Sequence, residues 1–216
     1  MDRFLSYVGR HTDDLLQQGL EHATVVGTAI VIATVLGVAL GVTTWDRPMG
    51  RAAAVATTGT FLTIPSFALL GLLIPLLGLG WTPTVVALVV YSLLPITRNT
   101  IVGLREVAPA ILEAARGTGM GPTRTLLRVQ LPLAWPLILT GIRVSTQLTV
   151  GIAAIAAYVA GPGLGNEIFD GLSRLGSKNA INQALAGTLG VIVLALAFDL
   201  LFFAVRRLTT PRGLRV

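Results

Sequence analysis

Apolar residues in this chain come in long unbroken runs rather than in a short-period alternation. Ala23 to Trp45 carries no charge, and neither does Ala52 to Thr97. Val129 to Asn166 is interrupted only by Arg143, and Ala184 to Val205 only by Asp199. A helix crosses a bilayer with about 20 mostly apolar residues. The first run supplies one span. The second is long enough for two, with GLGWTP (Gly78 to Pro83) as the turn between them. The third supplies a span over Ala134 to Ala160, and the fourth a span over Ala184 to Val205. The pattern predicts an all-α, polytopic membrane protein with five transmembrane helices and one domain over residues 1–216. A transmembrane barrel is disfavoured, because its strands alternate apolar and polar positions with period two.

The segments between the runs complete the plan. Phe4, Leu5, Val8, Leu15 and Leu16 recur at near-helical spacing among charges, so residues 1–20 read as an amphipathic helix on the membrane surface. Residues 161–183 form the longest loop on one side, and Asn166 to Leu175 within it is expected to be a short helix. Residues 105–130 form the longest on the other.

Composition agrees with lipid as the solvent. Only 12% of residues are charged and mean hydropathy is +0.78, against about 25% charged in soluble domains. The net charge is +6. The arginines sit between apolar runs and are not interleaved with stacking aromatics, so they read as a topology signal and not as a nucleic-acid surface. Arg47 and Arg51 follow the first span; Arg98, Arg105, Arg116, Arg124 and Arg128 follow the third; Arg206, Arg207, Arg212 and Arg215 follow the fifth. On the opposite side Arg3, Arg10, Arg174 and Lys178 are offset by Asp2, Asp13, Asp14, Glu21, Glu167 and Asp170. The positive-inside rule then puts the N-terminus outside and the C-terminus in the cytoplasm. The acids among the first residues argue against a cleaved signal peptide. Thiol chemistry and disulfides are excluded because there is no cysteine. His11 and His22, both near the N-terminus, are expected on a solvated surface. No G-x-x-x-x-G-K-[ST] pattern occurs, so the chain is expected neither to bind nor to hydrolyse ATP. No nucleophile, base and orienting acid stand together.

One stretch breaks the apolar character. EAARGTGMGPTRTLLRVQLP, Glu113 to Pro132, is polar and rich in glycine and proline. Ala108 to Arg116 reads as a short helix with Pro109 in its first turn and Ile111, Leu112 and Ala115 as a small apolar face. Gly117, Gly119 and Gly121 stop it and allow turns that a Cβ resists. Pro122 then opens a helix leading through Leu131-Pro132 into the fourth span. The small face suits docking into a groove on another protein.

The spacing Glu113-Ala114-Ala115, Gly119, Val129, Leu131-Pro132 resembles the E-A-A-x-x-x-G-x(9)-I-x-L-P signature of permease subunits of bacterial ABC importers, with valine in the isoleucine place. TIPSFALLGLLIPLLGLG (Thr63 to Gly80), LLPITRNTIVGL (Leu93 to Leu104) and GPGLGNEIF (Gly161 to Phe169) look like the permeases that import osmoprotectants: glycine betaine, choline, carnitine or proline-type compounds. The resemblance implies a plasma-membrane complex of two permeases, identical or homologous, two cytoplasmic ATPases that carry ATP and Mg, and an extracytoplasmic solute-binding protein. It assigns Glu113 to Gly121 as a coupling helix moved by the ATPases, and the third and fourth spans follow it. Two readings stand beside it: an importer of methionine or another amino acid, and a channel or membrane scaffold working without ATP.

The pathway is expected to be lined by the polar and small residues of the spans: Thr60, Thr63, Ser66, Tyr91, Ser92, Thr146, Gln147 and Thr149. Phe67, Tyr91 and Tyr158 offer π faces to a quaternary ammonium. Pro65 breaks the hydrogen-bond ladder of the second span and marks a bend. The same residue types also pack helices against one another, and for each of them that use stays open. Arg143 and Asp199 lie inside spans at similar height and are expected to pair or to share one polar network. The alternatives for Arg143 are a place on the pathway and independent reach to the cytoplasmic headgroups.

Overall fold

The computed structural model describes residues 2–209. Arg212 and Arg215, part of the C-terminal basic cluster, lie outside the described residues. In chain order the helices are α1 (Asp2–Arg10), α2 (Thr12–Thr44), α3 (Pro48–Thr63), α4 (Ser66–Leu77), α5 (Trp81–Arg105), α6 (Pro109–Gly117), α7 (Pro122–Thr125), α8 (Leu131–Ile155), α9 (Gly165–Ser173) and α10 (Ala180–Thr209). A π-helical turn, Leu126–Gln130, joins α7 to α8, and a 3-10 turn, Ala156–Val159, ends α8.

Four helical runs are long and apolar enough to cross a membrane: Thr12–Thr44, Trp81–Arg105, Pro122–Val159 and Ala180–Thr209. The fifth crossing exists only if α3 and α4 count as one, and these are bent by 95° at Ile64-Pro65. The bend that the sequence reading places at Pro65 in the second span is thus a full break between two helices. Proline has no N–H to donate and pushes the residue before it out of the helical region. Ile64 accordingly has φ −72° and ψ 126°. Its carbonyl, lost to the helix ladder, accepts the hydroxyl of Tyr91 at 2.7 Å.

The core lies where α2, α5 and α8 meet. Val25, Val26 and Ala29 of α2, Leu88 and Ile96 of α5, and Ile138, Ile142 and Val150 of α8 form one buried cluster. Close approach depends on small residues, because lipid gives no hydrophobic drive to pull helices together. At Gly141 a Cβ would stand 2.7 Å from the Pro95 carbonyl oxygen of α5, so only glycine allows α8 that close. By contrast α10 buries only Ala180, Ala186 and Gly187, all near its start.

The amphipathic N-terminal segment divides at His11. α1 packs against α2 and α10, while residues from Thr12 onward run unbroken into the first span. At 1.5 Å per residue α2 is about 50 Å long, well beyond the ~30 Å hydrocarbon layer. Its first turns, with Asp13 and Asp14, therefore extend past the membrane. The expectation of a solvated His22 is overturned: the ring is fully buried, and one ring nitrogen, Nε2, lies 3.0 Å from the Val150 carbonyl. Since a carbonyl only accepts, Nε2 carries the proton. His11 is half-buried and stacks on Tyr7 with ring centroids 4.2 Å apart.

The segment between α8 and α10 is ordered around α9. Glu167 is buried there, and it accepts the Tyr7 hydroxyl at 2.8 Å and the Gln18 amide at 3.1 Å. Burial, then the hydrogen bond to Glu167, pushes the Tyr7 phenol above its ordinary value. One carboxylate thus ties α1, the start of α2 and α9 together.

Candidate coupling loop and translocation face

Between α5 and α8 the chain leaves the bundle, forms α6 and returns. Pro109 opens α6, where its missing N–H costs no intrahelical bond. The helix closes with a Schellman turn: the Met120 N–H reaches the Ala115 carbonyl at 3.1 Å, and the Gly119 N–H reaches the Arg116 carbonyl at 2.9 Å. Gly119 occupies the left-handed position with φ +81°. Of the three glycines of the sequence analysis it alone needs to be glycine: Gly117 belongs to α6, and Gly121 is ordinarily extended at φ −70° and ψ 166°.

Glu113, Ala114 and Ile111 are exposed, Leu112 is half-buried and Ala115 is buried against the chain itself. The outward face of α6 is thus carried by Ile111, Glu113 and Ala114, and Ala115 anchors the helix from behind. A cleft of about 820 Å³ opens between α6, the re-entry and the end of α2, lined by Trp45, Arg47, Leu112, Arg116, Met120 and Thr125 among others. Leu131 and Pro132 open α8 directly after the π-helical turn, in which the Leu131 N–H bonds the Leu126 carbonyl five residues back. Such a wide turn accommodates Pro132, which has no N–H for the regular ladder, while Pro136 lies inside α8 itself.

The residues named for the pathway fall into two groups. Tyr91, Ser92, Thr146 and Thr149 are buried between helices. The hydroxyls of Ser92, Thr146 and Thr149 donate to carbonyls four residues back in their own helices, and Tyr91 caps the α3 break. Ser145, which the sequence reading missed, makes the interhelical bond, donating to the Ser92 carbonyl at 3.0 Å. The second group faces outward: Thr60, Thr63, Pro65, Phe67 and Tyr158 are exposed, and Ser66 is half-exposed beside the break. Phe67 and Tyr158 are in ring contact, and Phe169 of α9 joins them. Nothing in the sequence singled out Phe169, since only the fold of the segment between α8 and α10 brings it there.

Arg143 and Asp199 meet as a fork, with Nε to Oδ1 and Nη2 to Oδ2 both at 2.7 Å. Gln147 adds bonds from its amide to Asp199 at 3.3 Å and to the Ala195 carbonyl at 3.2 Å. The two charges are neither isolated in lipid nor separately solvated. Among the described residues no cluster of metal-ligating side chains occurs.

A bundle of membrane-crossing helices with one broken member, and a short helix displayed on a sharp turn at one end, defines a membrane transport permease. The profile of the family described as "Binding-protein-dependent transport system inner membrane component" matches residues 33–211, and the chain belongs to that family. It is a permease subunit of the ABC importer type. It is 36% identical over 215 residues to the choline transport system permease protein OpuBB of Bacillus subtilis, with 100% of this chain and 97% of that protein covered. It is 35% identical over 215 residues to the glycine betaine/carnitine/choline permease OpuCB of the same organism, at the same coverage. It is 38% identical over 200 residues to the osmoprotectant import permease OsmW of Salmonella typhimurium, covering 90% of this chain and 91% of that one. Among solved structures the MetNI methionine ABC transporter, in inward-facing form, shares the fold: TM-score 0.77 at 22% identity, covering 91% of this chain and 96% of that one.

Proposed function

We propose that this chain lines the membrane pathway of an ATP-driven importer for a quaternary ammonium compatible solute such as glycine betaine, choline or carnitine, with proline-type compounds in the same class. The observation that carries the reading is full-length similarity to permeases named for these solutes. The chain itself supplies no nucleotide chemistry. Two cytoplasmic ATPases hold ATP and Mg, a second permease completes the pathway, and an extracytoplasmic binding protein delivers the solute. The N-terminus lies outside, and α6 and the end of α10 lie in the cytoplasm, since the loop arginines concentrate on that side. The exposed face of α6 docks on an ATPase. ATPase closure moves α6 as a lever, and the π-helical turn at Leu126–Gln130 passes the motion into α8. The pathway side is the exposed region beside the α3–α4 break, bearing Thr60, Thr63, Ser66, Phe67 and Tyr158.

The test is co-purification from the native membrane, with the subunits identified by mass, followed by uptake of labelled choline, glycine betaine and methionine in reconstituted vesicles. ATP-dependent uptake of a quaternary ammonium compound supports the reading. Uptake of methionine alone replaces the cargo, a possibility to which the shared MetNI fold lends only distant support. Uptake without ATP, and without an associated ATPase, overturns the importer mechanism in favour of a channel.

A further inference from the structure

Three rings from three separate parts of the chain converge beside the break between α3 and α4. Phe67 stands in the first turn of α4, Tyr158 in the 3-10 turn after α8, and Phe169 in α9. The Tyr158 centroid is 4.8 Å from that of Phe67, with the planes at 66°, and 5.6 Å from that of Phe169, with the planes at 72°. Both contacts are edge-to-face, so the rings meet at a corner around Tyr158 and do not stack. Tyr158 is 63% exposed and Phe67 51%. None of the three belongs to either buried hydrophobic cluster, so core packing does not account for them.

The corner is also framed. The Gly80 N–H bonds the Val159 carbonyl at 3.0 Å and holds the α4–α5 turn against the turn that carries Tyr158. Ala160 ends that turn in the left-handed conformation. The Asn166 amide donates to the Gly163 carbonyl at 2.9 Å and fastens the start of α9 to the same loop. A belt of lone aromatics at the membrane surface needs no such framing.

A trimethylammonium group has no N–H, so a carboxylate cannot hold it by hydrogen bonds. The face of an aromatic ring attracts it through the ring quadrupole. The attraction is modest, which suits a site that must release as readily as it binds. We infer that Tyr158, flanked by Phe67 and Phe169, is a cation–π station on the permease itself, receiving the trimethylammonium head of the solute at the external end of the pathway. This inference rests on the quaternary ammonium reading of the cargo and places part of the selectivity in the permease.

The experiment uses the whole importer in proteoliposomes with Tyr158→Phe, Tyr158→Leu and Phe67→Leu, plus a fluorinated phenylalanine at position 158 that keeps the ring and weakens its quadrupole. Assembly of each variant is checked by size-exclusion chromatography. Tyr158→Phe should keep kcat/KM for choline near wild type. Tyr158→Leu and the fluorinated ring should lower it by roughly 2- to 30-fold, the range a single cation–π contact spans. Equal rates for the Phe, Leu and fluorinated forms overturn the station and leave the cargo reading standing. If the wild type carries no quaternary ammonium, that reading fails by itself. The station is then judged by calorimetric binding of tetramethylammonium to the permease–ATPase complex without binding protein. Binding lost in Tyr158→Leu and kept in Tyr158→Phe supports it, and no binding to the wild type overturns it.

Discussion

The Arg143 guanidinium grips the Asp199 carboxylate through both oxygens, and this fork ties α8 to α10 along a contact that otherwise buries little. Beyond its first turns α10 has no fully buried residue: Val191, Ala195, Phe198 and Phe202 pack on the core partly buried, and its polar links to α8 include this fork, the Gln147 amide and the Trp135–Thr209 hydrogen bond. Arg143→Asp and Asp199→Arg should each lower the yield of folded protein by roughly tenfold, and the double swap should recover most of it. The measurement is the folded fraction by fluorescence-detected size exclusion. Purely additive losses would show that the two charges are not coupled.

Gly119 tests the coupling loop through backbone conformation alone. A Cβ there meets nothing within 4 Å, so any penalty comes from φ +81° and not from collision. Gly119→Val should cost about 1 kcal/mol or more locally and abolish coupled transport, with membrane insertion unchanged. Gly119→Asn should retain most activity, because asparagine tolerates the left-handed region. Equal transport by both variants would remove the turn from the mechanism.

Membrane orientation is open to a labelling scan, since the chain has no cysteine of its own. Cysteines at Ser173 and Asn179, both exposed in the segment between α8 and α10, should react with an impermeant maleimide in intact cells. A cysteine at Thr123, exposed in the coupling loop, should react only after permeabilisation. The reverse pattern would invert the topology and carry α6 away from any cytoplasmic ATPase.

Glu167 should behave as a buried acceptor whose loss strands its donors. Glu167→Ala should lower stability by about 1–3 kcal/mol, read as thermal unfolding in detergent, because the Tyr7 hydroxyl and the Gln18 amide lose their partner. Tyr7→Phe combined with Glu167→Leu should cost less than the sum of the two single changes, since apolar replacement on both sides leaves less unpaired. A full sum would show that Tyr7 and Glu167 act separately.

What the sequence made legible were features written in local composition: the apolar runs, the α6 helix and its stop, and Pro65 as a break. The bend angle at Pro65 was not, because it depends on where α5 receives α4. His22 sits beside Glu21 in a polar-looking stretch, and only its contact with Val150, distant in sequence, buries it. Tyr91 and the serines and threonines of α5 and α8 read equally as pathway or packing from residue type; in the single chain they are buried, with their hydroxyls bonded to backbone carbonyls. Phe169 had no signal of its own.

The Tyr91–Ile64 bond also sets an order for biosynthesis. The donor lies 27 residues after the acceptor. While α3 and α4 leave the ribosome, the Ile64 carbonyl has no partner, and a bare carbonyl in hydrocarbon costs several kcal/mol. The broken pair is therefore a poor substrate for lateral release from the insertion machinery by itself. It should be retained at the lateral gate, shielded by water and protein, until α5 emerges and brings Tyr91 alongside. The three helices then partition into lipid as one unit.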